Sequence, residues 1–168
     1  MRIEVVSGTS GDVTRQPVDV VVTAANRALE GGGGVDAAVH GAAGRELLRA
    51  SRALAPCPTG SAVVTPAFDL APVRWVVHAV GPRWAGRPED PELLAAAYTA
   101  SLARADEVGA TSVAFPSIST GVYRYPAPEA ARVSVGALRA ARTRVALTLL
   151  VARTEEQAGL WEAALAEG

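Results

Sequence analysis

The residues of this chain best suited to chemistry fall in two short stretches. The first runs Thr23-Ala24-Ala25-Asn26 and, after Leu29-Glu30, continues Gly31-Gly32-Gly33-Gly34-Val35-Asp36. Consecutive glycines are costly to order, because glycine loses more backbone freedom on folding than any other residue. Their use is to let a main chain turn sharply and come close to a ligand. A helix is expected to begin straight after them, and the free N–H groups of a helix start favour anions. The second stretch is Phe115-Pro116-Ser117-Ile118-Ser119-Thr120-Gly121-Val122-Tyr123. There an apolar run empties into small hydroxyl residues and a glycine. Successive N–H groups in such a turn form an anion-holding nest, to which Ser119 and Thr120 add hydroxyl donors. Tyr123 offers a flat face for a sugar. Together the two loops suit a diphosphate gripped from both sides. Read without a ligand, the first is a flexible connection and the second an ordinary strand-to-helix turn. Asp12, in Gly11-Asp12-Val13-Thr14, then reads as a turn aspartate.

Several chemistries are excluded or disfavoured. Gly32-Gly33-Gly34-Val35-Asp36-Ala37 formally satisfies a dinucleotide fingerprint, but that motif follows its strand directly, and here Ala24 to Gly31 intervene. The chain has no lysine, which removes Schiff-base chemistry and a Walker-type phosphate lysine. Two histidines, His40 and His78, and the lone Cys57 offer no metal-ligand spacing, so no metal is expected. A net charge of −1 provides no field for holding nucleic acid or anionic lipid, and no sequence-specific nucleic-acid binding is expected. No stretch approaches the roughly 18 apolar residues of a membrane span, and Met1 to Asp12 lacks a secretory layout. One cysteine suits a reducing compartment, so a cytoplasmic protein is expected.

Short β-branched runs alternate with Ala- and Leu-rich stretches. Strands are expected at Ile3–Val6, Val18–Thr23, Ala62–Thr65, Trp75–Val80, Ser112–Phe115 and Val145–Ala152. Helices are expected at Val35–Ala42, Arg45–Ala53, Glu92–Val108, Pro128–Arg139 and Glu155–Ala166. In the third helix, Leu94, Tyr98 and Leu102 mark the buried side, with Leu93, Ala97, Ala100 and Arg104 on another. Asp90-Pro91 reads as its cap, and Thr154 as the cap of the last helix. Strands separated by helices predict a three-layer α/β/α domain spanning residues 1–168, with its ligand beyond the carboxyl ends of the strands.

Taken in order along the chain, these motifs resemble a macrodomain of the MacroD type. The resemblance rests on Gly11-Asp12-Val13-Thr14, Ala24-Ala25-Asn26, Gly32-Gly33-Gly34-Val35-Asp36 and Cys57-Pro58-Thr59-Gly60. Val77-His78-Ala79-Val80-Gly81-Pro82, Ala114-Phe115-Pro116-Ser117-Ile118-Ser119 and Ser119-Thr120-Gly121-Val122-Tyr123 extend it over essentially the whole chain. It implies a mixed, roughly six-stranded sheet between helices and a ligand, ADP-ribose. By resemblance, Asp12 accepts from the adenine amino group, with Val13 lining that end. Gly33, Gly34 and Val35 approach the phosphate and distal ribose, Asn26 bonds that ribose, and Asp36 sits near its anomeric carbon. Ser119, Thr120, Gly121, Val122 and Tyr123 wrap the diphosphate, with Tyr123 on the distal ribose. His40 and His78 become structural residues. Two positions depart from the family pattern. Thr23 stands where the loop usually opens with asparagine, and Arg153 stands where an aromatic often stacks on adenine, a place its planar guanidinium can fill.

The activity implied is hydrolysis, with Asn26 and Asp36 as catalytic residues. Its substrates would be mono-ADP-ribosylated acidic residues of proteins or O-acetyl-ADP-ribose, with Asp36 or the gripped diphosphate activating water. No cofactor is required, and a monomer is expected. The alternative is a module that reads ADP-ribose without turning it over, and Thr23 is the residue that favours it. A phosphatase acting on ADP-ribose 1″-phosphate is a third reading.

Overall fold

Valine-rich runs bounded by turn residues build the sheet, and alanine-rich amphipathic runs cover it. The computed structural model describes residues 1–168, the side chain of Thr9 excepted. The strands are β1 (Arg2–Val6), β2 (Val20–Ala24), β3 (Ala62–Pro66), β4 (Trp75–Ala79), β5 (Ser112–Phe115) and β6 (Leu147–Val151). The helices are α1 (Gly34–Ala43), α2 (Arg45–Arg52), α3 (Asp90–Glu107), α4 (Ala127–Ala140) and α5 (Glu155–Ala166). Each expected strand and helix is found within two residues at either end, β2 and β6 included: β2 starts two residues later and ends one later than expected, and β6 is shorter at both ends. Among the described residues no helix is long and apolar enough to cross a membrane.

The strands form one six-stranded sheet in the order β1-β6-β5-β2-β4-β3. All neighbours run parallel except β3, which pairs antiparallel with β4 at one edge. Side chains alternate between faces, as strand geometry requires. Val20, Val22, Val77, Val113, Phe115 and Leu150 join the core beneath α3, α4 and α5. Val21, Val76, Ala114, Leu149 and Val151 join the core beneath α1 and α2. Both faces are therefore covered, which is the condition for a mostly parallel sheet and for its continuous apolar strands. The expected three-layer α/β/α architecture is the one observed.

Two local expectations change. In α3 Ala97 is buried along with Leu94, Tyr98 and Leu102, so its apolar side is wider than the sequence suggested. Asp90 is not the cap of α3. It is the first helical residue, and its buried carboxylate accepts from the backbone of Ala85 and Arg87, at 3.0 and 3.1 Å. It thus folds the proline-rich loop before α3 rather than the helix itself. Thr154 does cap α5, accepting from Gln157 N at 3.1 Å.

Candidate functional site

Because five strands point the same way, the segments leaving β2, β4, β5 and β6 at their carboxyl ends meet on one side of the sheet. They enclose a cavity of about 840 Å³, within the range of small-molecule sites. Its wall brings together Asn26, Gly33, Gly34, Val35 and Asp36 from the first loop and Ser119 to Tyr123 from the second. Arg153 closes the end beside β6.

The first loop is folded by its own groups. Asn26 Nδ2 donates to the carbonyl of Gly31 at 3.1 Å, tying the ends of the turn together. Gly31 and Gly34 have φ of +80° and +58°, the left-handed region where a side chain is strained. The first turn of α1 follows with no side-chain cap at Gly33, so its N–H groups are free of side-chain partners at the cavity wall. A β-carbon at Gly32 would lie 3.5 Å from Asp36 Oδ2 and 3.8 Å from Asn26 Nδ2. The amide and the carboxylate therefore converge on bare backbone.

Asp36 is 2% exposed. Its Oδ1 accepts from Thr23 Oγ1 at 2.8 Å and lies 3.5 Å from His40 Nε2, while Oδ2 is buried without a partner. Such an oxygen is destabilising unless a ligand or water completes it. Behind Asp36, His78 is fully buried and shares a hydrogen bond of 2.9 Å with Thr65 Oγ1. Burial pulls the His78 imidazole down to about 4, against the opposing pull of the Asp36 charge, with His40 adding to the lowering. His78 is the buried strand residue expected. His40 is more than a helix residue, since it touches the site carboxylate and borders a second cavity, of about 530 Å³, across the glycine loop.

The second loop is held under strain. Ser119 and Arg124 have φ of +69° and +59°, conformations that cost an ordinary residue about 1–3 kcal/mol and persist only where neighbours enforce them. The enforcing contacts are visible. Tyr98 of α3 accepts from Ile118 N at 3.1 Å, and Tyr125 N donates to the Ser119 carbonyl at 2.9 Å. Burial pushes the Tyr98 phenol up to about 12, so it stays a neutral support. Thr120 Oγ1 donates back to Ser117 Oγ at 2.9 Å, whereas Ser119 Oγ is buried without a partner.

Three expected ligand residues lie outside the cavity wall. Thr23 is fully buried under α1 and gives its hydroxyl to Asp36. Asp12 Oδ1 accepts from the backbone and hydroxyl of Thr14, at 2.9 and 2.7 Å, which is the turn role. Val13 is buried in the core beneath α1. The Asp12 turn is nonetheless pressed against β6, because Gly11 packs directly on the carbonyl of Ala152. Arg153 follows immediately. Residues given no ligand role from the sequence also line the cavity, among them Gly81, Arg83, Val151 and Gln157. The signal for Arg83 was its place in a proline- and glycine-rich loop straight after β4; its guanidinium lies 5.0 Å from the centroid of Tyr123.

The Macro domain family model matches residues 22–134, which include both cavity loops. The chain belongs to the Macro domain family. This macrodomain is 49% identical over 141 residues to a macro domain-containing protein of Streptomyces coelicolor, covering 80% of this chain and 83% of that one. It is 47% identical to the O-acetyl-ADP-ribose deacetylase of Shigella flexneri over 174 aligned positions, covering 99% of this chain and 96% of that one. Among solved structures it superimposes on the Oceanobacillus iheyensis macrodomain with ADP at a TM-score of 0.90 and 37% identity, covering 98% and 90% of the two chains. The Trypanosoma brucei macrodomain in complex with ADP-ribose gives 0.86 and 34%, covering 97% of this macrodomain and 68% of that chain. The resemblance read from the motifs is thereby shown for the family and for the fold.

Proposed function

We propose that this macrodomain binds ADP-ribose in the cavity and hydrolyses acyl esters of its distal ribose. The substrates are O-acetyl-ADP-ribose and proteins mono-ADP-ribosylated on acidic residues. One observation carries the hydrolytic reading: Asp36, in the wall of a ligand-sized cavity, keeps one carboxylate oxygen buried and unpartnered on the side of Gly32 and the Asn26 amide. A water held against that oxygen can be deprotonated by it, whereas a module that only reads its ligand would fill it with a ligand hydroxyl. The named relatives support the choice of ligand, one being a deacetylase of O-acetyl-ADP-ribose and another bound to ADP-ribose.

In this reading the diphosphate lies between the uncapped start of α1 and the nest of Ser119 to Tyr123, both rich in free N–H groups. The distal ribose then falls near Asn26, Asp36 and Tyr123, and adenine near Arg153 and the Asp12 turn. Asp36 Oδ2 takes a proton from water as the water oxygen adds to the acyl carbon. The bond between that carbon and the ribose oxygen breaks, and the ribose oxygen receives the proton. Products are ADP-ribose and acetate, or ADP-ribose and the free carboxylate of the protein. Holding ester and water together in two rigid loops supplies much of the acceleration.

The test is to incubate the protein with O-acetyl-ADP-ribose and, separately, with a protein mono-ADP-ribosylated on acidic residues. Release of acetate and of ADP-ribose is then followed. Release from both is expected. Binding of ADP-ribose with no release from either substrate would make the protein a reader; release from the small ester alone would remove the protein substrates.

A further inference from the structure

Thr23 has no route to a ligand. It is fully buried on β2, on the face covered by α1, and is absent from the cavity wall. Its hydroxyl carries one hydrogen, and that hydrogen goes to Asp36 Oδ1 across 2.8 Å, the usual length of a hydroxyl hydrogen bond. We propose that Thr23 is the positioning residue of the site, holding one carboxylate oxygen of Asp36 so that the other is presented to the reacting group. The proposal rests on the hydrolytic reading above and deepens it.

The need for such a residue follows from the chain path. Asp36 belongs to α1, which is joined to β2 by a loop that ends in three glycines and runs into a fourth, Gly34, at the helix start. That loop sets where the α-carbon lies but not how the carboxylate is turned, and the last torsion of an aspartate is broad and nearly two-fold. Anchoring one oxygen to a strand removes that freedom. β2 is an interior strand, paired with β5 on one side and β4 on the other, and so offers a support fixed from both sides. Threonine is stiff at its first torsion, so the direction of its hydroxyl is set by the backbone. His40 Nε2 lies nearest the same oxygen, at 3.5 Å, so both neighbours address Oδ1 and neither addresses Oδ2. The outcome is a carboxylate with one oxygen anchored and one free.

This gives position 23 a function without contact to substrate. It also accounts for threonine serving where the family pattern has asparagine, since a single donor is all the anchoring requires.

Three variants test it: Thr23→Val, which keeps shape and removes the donor; Thr23→Ser, which keeps the donor; and Thr23→Val combined with Asp36→Asn. Single-turnover hydrolysis of O-acetyl-ADP-ribose and calorimetric affinity for ADP-ribose are measured on each. Thr23→Val is expected to slow hydrolysis roughly tenfold to a hundredfold, the scale of a misplaced reacting group, with affinity held within about threefold. Thr23→Ser is expected to recover most of the rate, and the double variant to be little slower than Asp36→Asn alone. Should the valine variant not fold, Thr23→Ala takes its place with the same expectation. A valine variant as fast as wild type overturns the proposal, as does a serine variant as slow as the valine one. Rate and affinity falling together would make Thr23 a packing residue only. A wild type that binds ADP-ribose but never hydrolyses the ester sinks the hydrolytic reading and this one with it; the other failures leave that reading standing.

Discussion

Gly81 and Ser119 lie so close that a β-carbon on the glycine would overlap the serine hydroxyl and the side chain of Ile118. The loop after β4 and the loop after β5 therefore interlock, and the space at position 81, rather than its backbone angles, demands glycine. Gly81→Ala is expected to destabilise by about 1–3 kcal/mol, as overpacked sites do. For a chain of this size each kcal/mol lowers the melting temperature by about 2–4 °C. Because Ser119 borders the cavity, ADP-ribose affinity should fall at least about tenfold, or about 1.4 kcal/mol. Unchanged melting and affinity would show that the loops part without consequence.

Asp36→Asn preserves shape while removing the charge. Hydrolysis of a bound ester should slow by about a hundredfold or more, the usual scale for a positioned proton acceptor. ADP-ribose affinity should stay within severalfold. Single-turnover kinetics and calorimetry on the same preparation separate the two effects. An equally fast variant would assign water activation to the diphosphate of the substrate.

Asp12→Ala has two expected consequences, measurable apart. Without ligand, loss of the bonds to Thr14 should cost about 0.5–2 kcal/mol, as for other capping residues. With ligand, a lost bond to the adenine amino group should weaken binding further, by about 1.5–3 kcal/mol. Chemical unfolding gives the first figure, and titration of ADP-ribose against ribose phosphate the second. A variant less stable but equal in affinity for both ligands leaves Asp12 as a turn residue alone.

Arg153 borders the cavity, and its guanidinium lies by the start of α1, 3.9 Å from where a β-carbon of Gly34 would stand. If it covers adenine, Arg153→Ala should cost about 1 kcal/mol in affinity for AMP, ADP and ADP-ribose alike, with hydrolysis of bound ester unchanged. A loss that grows with the number of phosphates would place the guanidinium on the diphosphate instead.

His78 sets an acid limit on stability. Above the ordinary imidazole range, near 6.5, the ring is neutral in folded and unfolded chains alike, and His78 adds no pH dependence. Below it the unfolded chain takes a proton that the folded chain refuses until about pH 4. Stability is therefore lost as pH falls through that window, by on the order of 3 kcal/mol. Unfolding of wild type and His78→Gln at intervals from pH 7.5 to 4 should give a stability difference that changes only there. A constant difference would mean that the buried ring titrates normally.

The elements were legible because their signals are local. Ser112–Phe115 and Glu155–Ala166 are found at the residues expected, since a β-branched run and a capped, alanine-rich run each carry their own period. Both cavity loops were legible for a related reason: four glycines, and a serine-threonine-glycine turn, make no sense as stabilising choices. Asp90 was misread because its partners, Ala85 and Arg87, lie behind it in an irregular loop that no periodicity describes.

What the sequence by itself determined is which segments are strand, helix or cavity loop, and which family pattern their motifs follow. Which side chains meet was decided by the strand order β5-β2-β4, which no local stretch encodes. That order sets β2 under α1, so that Thr23 faces Asp36 instead of the cavity, and brings Gly81 against Ser119 and Arg83 over Tyr123. Local patterns record how a segment hydrogen-bonds with itself and which face it buries. The partner of a buried hydroxyl is a property of two segments packed together, and exists only once the sheet has chosen its neighbours.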